Sequence, residues 1–348
     1  MEFNIGDSRI GSNNKTFIIA ELSANHMNDF DIAVQTVEAM AESGADAVKF
    51  QTFTPDTITI DCDNEFFQIK QGTVWDGQGL HELYEEAFMP WNWQPKLKKI
   101  AEDLGLIVFS SPFDKTSVDF LEDIDVPAYK IASFEITDIP LIEYVASKGK
   151  PIIISTGIAN LEDIELAIKT CLDVGNNQIA LLKCTSSYPA PLDEINLNTI
   201  PDLADKFGCV VGLSDHTLGG EVSIAAVALG AKIIEKHFIL DRNMGGPDSE
   251  FSMEPKEFKL MVDSIRNVEK ALGIVSYELS DKMKANREFS RSLFVVEDIK
   301  KGEIITEDNV RSIRPGFGLH PKYLNGILGK KSNRDLKKGT PFKCSFIE

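Results

Sequence analysis

The stretch V-V-G-L-S-D-H-T-L-G-G (Val210–Gly220), the helix-forming run 221–229 behind it, and A-K-I-I-E-K-H-F-I-L-D-R (Ala231–Arg242) decide how the rest of the chain reads. Each half is a short apolar run that ends in a histidine. His216 follows Val210–Leu213, and His237 closes the run that begins at Ile233. A helix-length segment between them makes a strand–helix–strand unit with parallel strands. Parallel neighbours lie about 4.8 Å apart and their ends point the same way, so the two imidazoles converge.

Outward from this unit the same rhythm runs through most of the chain. Apolar runs at Phe17–Leu22, Ala47–Phe50, Ile107–Ser110, Ala128–Ile131, Ile152–Ser155 and Ile179–Leu182 precede it, each followed by an amphipathic segment. The helices expected between them are 29–43, 93–104, 115–124, 139–147, 161–172, 197–207 and 220–229, with 255–272 after the last strand. Eight strand–helix units predict an α/β protein, a TIM (β/α)8 barrel. An open doubly wound sheet is the rival, but its first turn carries glycines, and here that turn is A-E-L-S-A-N-H. Residues 1–16 read as a small polar hairpin turning at Gly11-Ser12-Asn13-Asn14.

The strand ends carry the chemistry. Lys49, Lys130, Lys183 and Lys236 end alternate strands, and Ser23, Ser110, Ser155 and Ser214 end the others. Side chains alternate along a strand. With His237 inward, Glu235 is inward too and Lys236 is outward, which leaves Lys49, Lys130 and Lys183 as the expected inward cations. Glu21 sits in the apolar run F-I-I-A-E-L beside the last strand, and a carboxylate there is costly unless paired or functional. Two imidazoles, a carboxylate and room for water suit Mn²⁺ or Mg²⁺ better than structural zinc. Residues 52–91 form an overlong loop on the catalytic face, with little regular structure expected beyond 79–88. In it Trp75, His81 and Tyr84 either frame a sugar or pack on the barrel.

A formal net charge of −18 excludes a general nucleic-acid binder, because phosphate contacts need a basic face. Five cysteines without a CxxC pair, no basic-then-apolar leader and no long apolar run point to a cytoplasmic protein. Residues 274–292 read as a polar linker. Beyond it, Asp298-Ile-Lys-Lys-Gly302 returns as Asp335-Leu-Lys-Lys-Gly339, which predicts a small pseudo-symmetric β-rich domain. The expected division is therefore a barrel over 1–273, a linker over 274–292 and a small domain over 293–348.

E-L-S-A-N-H, A-V-K-F-Q-T, S-S-P-F-D, Y-K-I-A-S, C-T-S-S-Y-P, G-L-S-D-H-T and E-K-H-F together resemble the sialic acid synthase family. The C-terminal I-R-P-G-F-G-L-H-P-K-Y-L resembles its antifreeze-like (SAF) domain. The resemblance covers nearly the whole chain. It implies a transferase that condenses phosphoenolpyruvate with an amino sugar, aided by a divalent metal (Mn²⁺, Mg²⁺ or Co²⁺) on His216 and His237. It implies that Glu21 acts on water or on the acceptor. Lys49, Gln51, Lys130, Ser133, Ser155 and Ser186 match positions that hold phosphoenolpyruvate, to which the reading of the strand ends adds Lys183. Tyr188 and Asp248 match acceptor-side positions. Arg314 matches an SAF arginine that reaches into a partner's barrel, so a domain-swapped homodimer is expected. The N-acetylneuraminate branch has Gly where this chain has Phe134 and Asn where it has Ser186, which favours a branch acting on a diacetamido-trideoxy sugar.

Rival readings remain open at this point: an N-acetylneuraminate or legionaminate synthase, a Schiff-base aldolase using Lys183, and a non-catalytic carbohydrate-binding protein.

Overall fold

The computed structural model describes residues 2–11, 14–70 and 75–348. They form two compact units, residues 1–273 and 274–348.

A short antiparallel hairpin opens the first unit, with β1 (Glu2–Ile5) and β2 (Ser8–Gly11). The turn that joins its two strands is at Gly6, in left-handed backbone at φ 52°; of the expected turn at 11–14, Ser12 and Asn13 lie outside the described residues. The hairpin is less polar than its composition, because Phe3, Ile5 and Ile10 are buried in the main core.

Eight parallel strands follow: β3 (Phe17–Glu21), β4 (Ala47–Thr52), β5 (Ile107–Pro112), β6 (Tyr129–Ile131), β7 (Ile152–Ser155), β8 (Ile179–Cys184), β9 (Val210–Asp215) and β10 (Ile233–His237). They close in that order, with β10 returning to pair with β3. Helices fill the crossovers, and Pro255–Leu272 follows the last strand. The strands are buried on both faces, which is why they read as near-continuous apolar runs. Gly212 shows how tight the interior is: a Cβ there would lie 2.3 Å from the Ile233 carbonyl and 2.6 Å from Leu182 Cδ2.

The long loop after β4 is built, contrary to its irregular sequence. It holds helices Pro55–Ile58 and Leu80–Ala87 and a turn Glu65–Phe67. Residues 71–74, which include the first two of the T-V-W-D-G-Q-G segment, lie outside the described residues. Phe53 anchors the loop, meeting Tyr84 edge-on at 5.6 Å and Phe113 at 5.2 Å. Trp91 Nε1 donates to the Phe53 carbonyl at 3.0 Å. On the outer side, Thr52 Oγ1 bonds Gln94 Oε1 at 2.9 Å and Ser110 Oγ at 2.6 Å, pinning the end of β4.

In the second unit, β11 (Ser292–Val295) pairs with β12 (Val310–Ile313) over a separate small core that includes Leu293, Ile299, Leu336 and Phe342. The sequence repeat pairs with itself. Ile299 and Leu336 exchange both backbone bonds at 2.8 Å, while Asp298 accepts from Lys338 N and Asp335 from Lys301 N, each also at 2.8 Å. The 274–292 segment is not wholly irregular, since Ser280 caps a helix over Asp281–Asn286. That helix buries none of its residues, so it leaves no apolar periodicity to read.

Candidate active site

The strand registers fix which side chains share the barrel interior. Lys49 is level with Glu21 and Phe109, Gln51 with Ser111, Ser214 with Cys184 and Glu235. Lys130 is level with Ile153 on β7. These ends open into a cavity of about 560 Å³ at the C-terminal end of the barrel, the face on which TIM-barrel active sites are built.

Its floor is a closed set of charges. Lys49 Nζ lies 3.0 Å from Glu21 Oε1 and 2.9 Å from Glu235 Oε1, and Lys130 Nζ lies 3.3 Å from the same Glu235 oxygen. Ser214 Oγ donates to Glu235 at 3.1 Å. Gln51 Nε2 donates to Glu21 at 2.8 Å and to Ser23 Oγ at 2.9 Å. Burial raises the Glu21 carboxyl, but His237, Lys49 and the Gln51 hydrogen bond outweigh it and hold Glu21 well below the usual carboxylate range. Burial works against the Lys49 charge too, and Glu21 with Glu235 overcomes it, so Lys49 stays above the ordinary lysine value. At Lys130 burial wins and the amine falls below that value. The floor therefore holds a firmly charged lysine, a softer one and an ionised Glu21.

Beside the lysines is a cradle with unused hydrogen-bonding capacity. The buried hydroxyls of Ser111, Ser155 and Ser186 and Oε2 of Glu235 have no partner. Buried polar groups left in that state are costly unless a ligand takes them up. Ser133 Oγ accepts from the Gly157 N–H at 3.2 Å. A Cβ on Gly157 would fall 2.1 Å from Ser186 Oγ and 2.6 Å from Ser133 Oγ, so only glycine keeps the cradle open.

The two imidazoles do converge, with ring centroids 5.4 Å apart. His216 Nδ1 donates to the Thr185 carbonyl at 3.1 Å, a bond that fixes the ring and leaves Nε2 as the nitrogen outside it, as metal-bound histidines are commonly oriented. His237 Nε2 faces Glu21 Oε2 at 3.1 Å, while its Nδ1 is buried without a hydrogen bond, 3.5 Å from Asp248 Oδ2. Two imidazoles with Glu21 and Asp248 nearby form a mixed nitrogen–oxygen donor set that fits a divalent cation. Among the described residues no three His, Cys, Asp or Glu side chains already form a closed metal cluster. Cys184 Sγ lies 3.7 Å from His216 Nδ1. Burial raises this thiol, but His216 outweighs that effect and brings it down to about 6.

Tyr188 stacks on His216 at 4.4 Å and on Trp75 at 5.5 Å, and Trp75 Nε1 donates to the Pro247 carbonyl at 3.0 Å. Trp75, Tyr84, Tyr188 and Asp248 all line the cavity. His81 does not; it bonds Asp56 Oδ1 at 3.1 Å on the outside of the loop.

One sequence expectation about the lysines needs correction, and another needs refinement. Lys183 is level with Leu213 on β9, outside the inward set. Its Nζ donates to the Cys184 carbonyl at 2.6 Å and to Thr185 Oγ1 at 3.3 Å, and it does not line the cavity. Lys183 is thus neither a phosphate ligand nor a placed Schiff-base amine. Lys236 is outward as expected but far from a surface residue. It is fully buried against Asp215 Oδ2 at 2.9 Å and the Thr217 carbonyl at 2.6 Å. Arg314 is exposed on the second unit.

Glu235 and Glu135 were missed as site residues. Strand alternation places Glu235 inward, but only the structure shows it as counter-ion to both lysines. Glu135 lines the cavity with one carboxylate oxygen buried and unpartnered, and burial pushes it up to about 7. Nothing in S-F-E-I-T-D marks it.

A charged cradle of this kind at the mouth of a (β/α)8 barrel, in a chain that continues into a separate β-rich unit, defines a class of barrel synthase. The NeuB family profile matches residues 36–277 and the SAF domain profile residues 290–348. The chain belongs to the NeuB family. It is 47% identical over 329 residues, 94% of this chain and 96% of the other, to a pseudaminic acid synthase of Campylobacter jejuni. It is 46% identical to the Helicobacter pylori pseudaminic acid synthase over 95% of this chain and 97% of the other. Among solved structures, an N-acetylneuraminic acid synthetase from Leptospira borgpetersenii superposes with a TM-score of 0.73 at 33% identity, covering 82% of this chain and 95% of the other.

Proposed function

We propose that this chain condenses phosphoenolpyruvate with 2,4-diacetamido-2,4,6-trideoxy-L-altrose and water to give pseudaminic acid and phosphate. The near full-length similarity to pseudaminic acid synthases carries this reading, and the cavity supplies matching chemistry.

Phosphoenolpyruvate concentrates several negative charges in a small volume. Lys49 and Lys130 offer cations, while Ser133, Ser155 and Ser186 offer hydroxyls around Gly157. Binding would draw the lysines from Glu21 and Glu235 toward the ligand, which frees Glu21 to accept a proton. Carbon 3 of phosphoenolpyruvate attacks the aldehyde carbon of the open-chain sugar, water adds at carbon 2, and phosphate leaves by C–O cleavage. Glu21, ionised and beside His237, takes the proton from water or from the acceptor hydroxyl. A divalent cation, if held by His216 and His237, would supply Lewis-acid polarisation of the aldehyde. Tyr188 and Asp248 orient the acceptor.

The same reading includes a domain-swapped homodimer in which Arg314 of one chain serves the barrel of the other. Support comes from residues 274–292, where Ile274, Val275 and Tyr277 are 88%, 90% and 96% exposed; apolar side chains so bare in a row are typical of surfaces that meet a partner. Work in the reducing cytoplasm agrees with five free cysteines. Among the described residues no helix is long and apolar enough to cross a membrane.

Phosphate release from phosphoenolpyruvate tests the proposal. Release should require the altro-configured acceptor, stop on removal of divalent metal and return with Mn²⁺, Mg²⁺ or Co²⁺. Comparable turnover with N-acetylmannosamine, or with the manno-configured diacetamido isomer, would assign the chain to another branch.

A further inference from the structure

The loop between β3 and the helix Phe30–Glu42 bends against the preference of its own residues. Five non-glycine residues among those described stand in left-handed backbone, and three of them fall here: Ser23 at φ 47°, Met27 at φ 50° and Asn28 at φ 51°. Of the five, only Ser23 is buried. Glycine sits freely in that region and asparagine is tolerated there, but a serine is strained. Such strain persists where the surroundings over-determine it.

The surroundings of Ser23 are two parts of the site. Its Oγ accepts from Gln51 Nε2 at 2.9 Å, and the same amide nitrogen donates to Glu21 at 2.8 Å. On the other side the hydroxyl donates to the Asp248 carboxylate, as does the N–H of Ala24, the next residue after the left-handed turn. Burial raises the Asp248 carboxyl, and the nearby His237 together with these two donors outweighs it and keeps Asp248 below its ordinary value. Asp248 and Glu21 both flank His237, at 3.5 Å and 3.1 Å. Glu21, Gln51, Ser23, Asp248 and His237 thus make a closed ring of side chains in the wall of the cavity they line.

Asp248 needs such a hold. It lies in the stretch between β10 and the helix Pro255–Leu272, where the regular elements among the described residues are two three-residue turns, Arg242–Met244 and Ser249–Phe251. Its carbonyl accepts from Ser252 Oγ at 2.6 Å, and Asn25 Nδ2 donates to that hydroxyl at 2.8 Å and to the Phe238 carbonyl at 2.9 Å. The loop after β3 therefore grips Asp248 twice: by its side chain through Ser23 and Ala24, and by its main chain through Asn25.

We propose that Ser23 is a positioning residue for the acceptor: its hydroxyl, presented from left-handed backbone, ties the Asp248 carboxylate to the Gln51–Glu21 pair. The group that orients the sugar and the group that takes the proton then keep one fixed spacing. The inference rests on the phosphoenolpyruvate-condensing reading above and deepens it by naming the side chain that holds these two groups in register. Ser23 itself neither gives nor takes a proton in the reaction.

Ser23→Gly and Ser23→Ala test this together, assayed by phosphate release from phosphoenolpyruvate with the altro-configured acceptor. Both remove the hydroxyl, but glycine also relaxes the backbone while alanine keeps it strained. Ser23→Gly should therefore melt above Ser23→Ala, yet the two should share one kinetic defect. The KM for the acceptor should rise about tenfold, the worth of one hydrogen bond to a charged group, and the KM for phosphoenolpyruvate should stay within about twofold. A merely structural serine would tie activity to melting temperature and leave Ser23→Gly near native in both constants, which would overturn the inference. A rise in the KM for phosphoenolpyruvate as large as that for the acceptor would overturn it as well, and so would Ser23→Ala melting level with Ser23→Gly. Native enzyme that releases no phosphate with this acceptor would refute the synthase reading itself.

Discussion

At the scale of single residues, Gly157 and Glu135 set the cradle and its neutral neighbour. Gly157 is not in left-handed backbone, so alanine suits its main chain and the cost is local. Its Cβ would push the Ser133 and Ser186 hydroxyls aside, and these are the groups that await an anion. Gly157→Ala should fold normally and raise the KM for phosphoenolpyruvate about tenfold or more, by roughly the worth of one charge-assisted hydrogen bond. An unchanged KM would mean that the two serines do not hold that substrate. Glu135 makes a pH prediction. Burial lifts its carboxyl from an ordinary value of 4.5 to about 7, so between those values the folded protein keeps a proton that the unfolded chain has lost. Stability therefore falls as pH rises through that window, by up to ~3 kcal/mol at about 1.4 kcal/mol per unit. Glu135→Gln mimics the protonated acid at every pH. Its melting temperature should match the native one near pH 4.5 and exceed it increasingly up to about pH 7, and a difference independent of pH would show that Glu135 is not buried as a neutral acid. Neither residue was visible as functional in the sequence, because each acts through what is packed around it.

At the scale of elements, the eight strands and their following helices were legible to within a residue or two at most ends. Their phase was legible only in part. On β10 a histidine flags the interior, so alternation sorts Glu235 inward and Lys236 outward. On β8 the run I-A-L-L is apolar on both faces and carries no phase, so Lys183 could be placed only from its register against Leu213. The distinction is testable. Lys49→Ala should raise the KM for phosphoenolpyruvate ten- to hundredfold, whereas Lys183→Ala should leave it within about twofold. Lys236 needs a different expectation from the one its outward direction implies. Asp215 accepts from the Thr217 N–H at 2.9 Å and from Ser223 Oγ at 2.6 Å, besides pairing with Lys236. Removing the amine leaves that carboxylate buried and unpaired, a loss of roughly 3–5 kcal/mol. Lys236→Ala should lower the melting temperature by roughly 5–15 °C, and Lys236→Met with Asp215→Asn should recover part of it. A Lys236→Ala protein as stable as the native one would show that the pair is solvated.

At the scale of the whole molecule, each unit is complete as a fold. The barrel has its own core, and the second unit has a separate one joined through its internal repeat. The repeat was readable because both copies keep Asp-x-Lys-Lys-Gly, and the paired turns need the aspartates to accept from backbone N–H groups. The short helix at 281–286 was not readable because it buries none of its residues and so carries no apolar periodicity. An open barrel mouth lined by charges works best with water excluded, and an arginine offers a planar set of donors for acyl and hydroxyl groups of a sugar. If Arg314 of one chain serves the barrel of its partner, a two-fold exchange closes on itself and gives two equivalent sites. Chains carrying Arg314→Ala and Glu21→Ala are each expected to be nearly inactive alone. Mixed as heterodimers, one site lacks both groups and the other has a native Glu21 with a native Arg314 from across the interface. Activity should then return to about half of the native value per heterodimer. Heterodimers proven by affinity tags on both chains that stay inactive would put Arg314 in the service of its own barrel, and the exchange would fall.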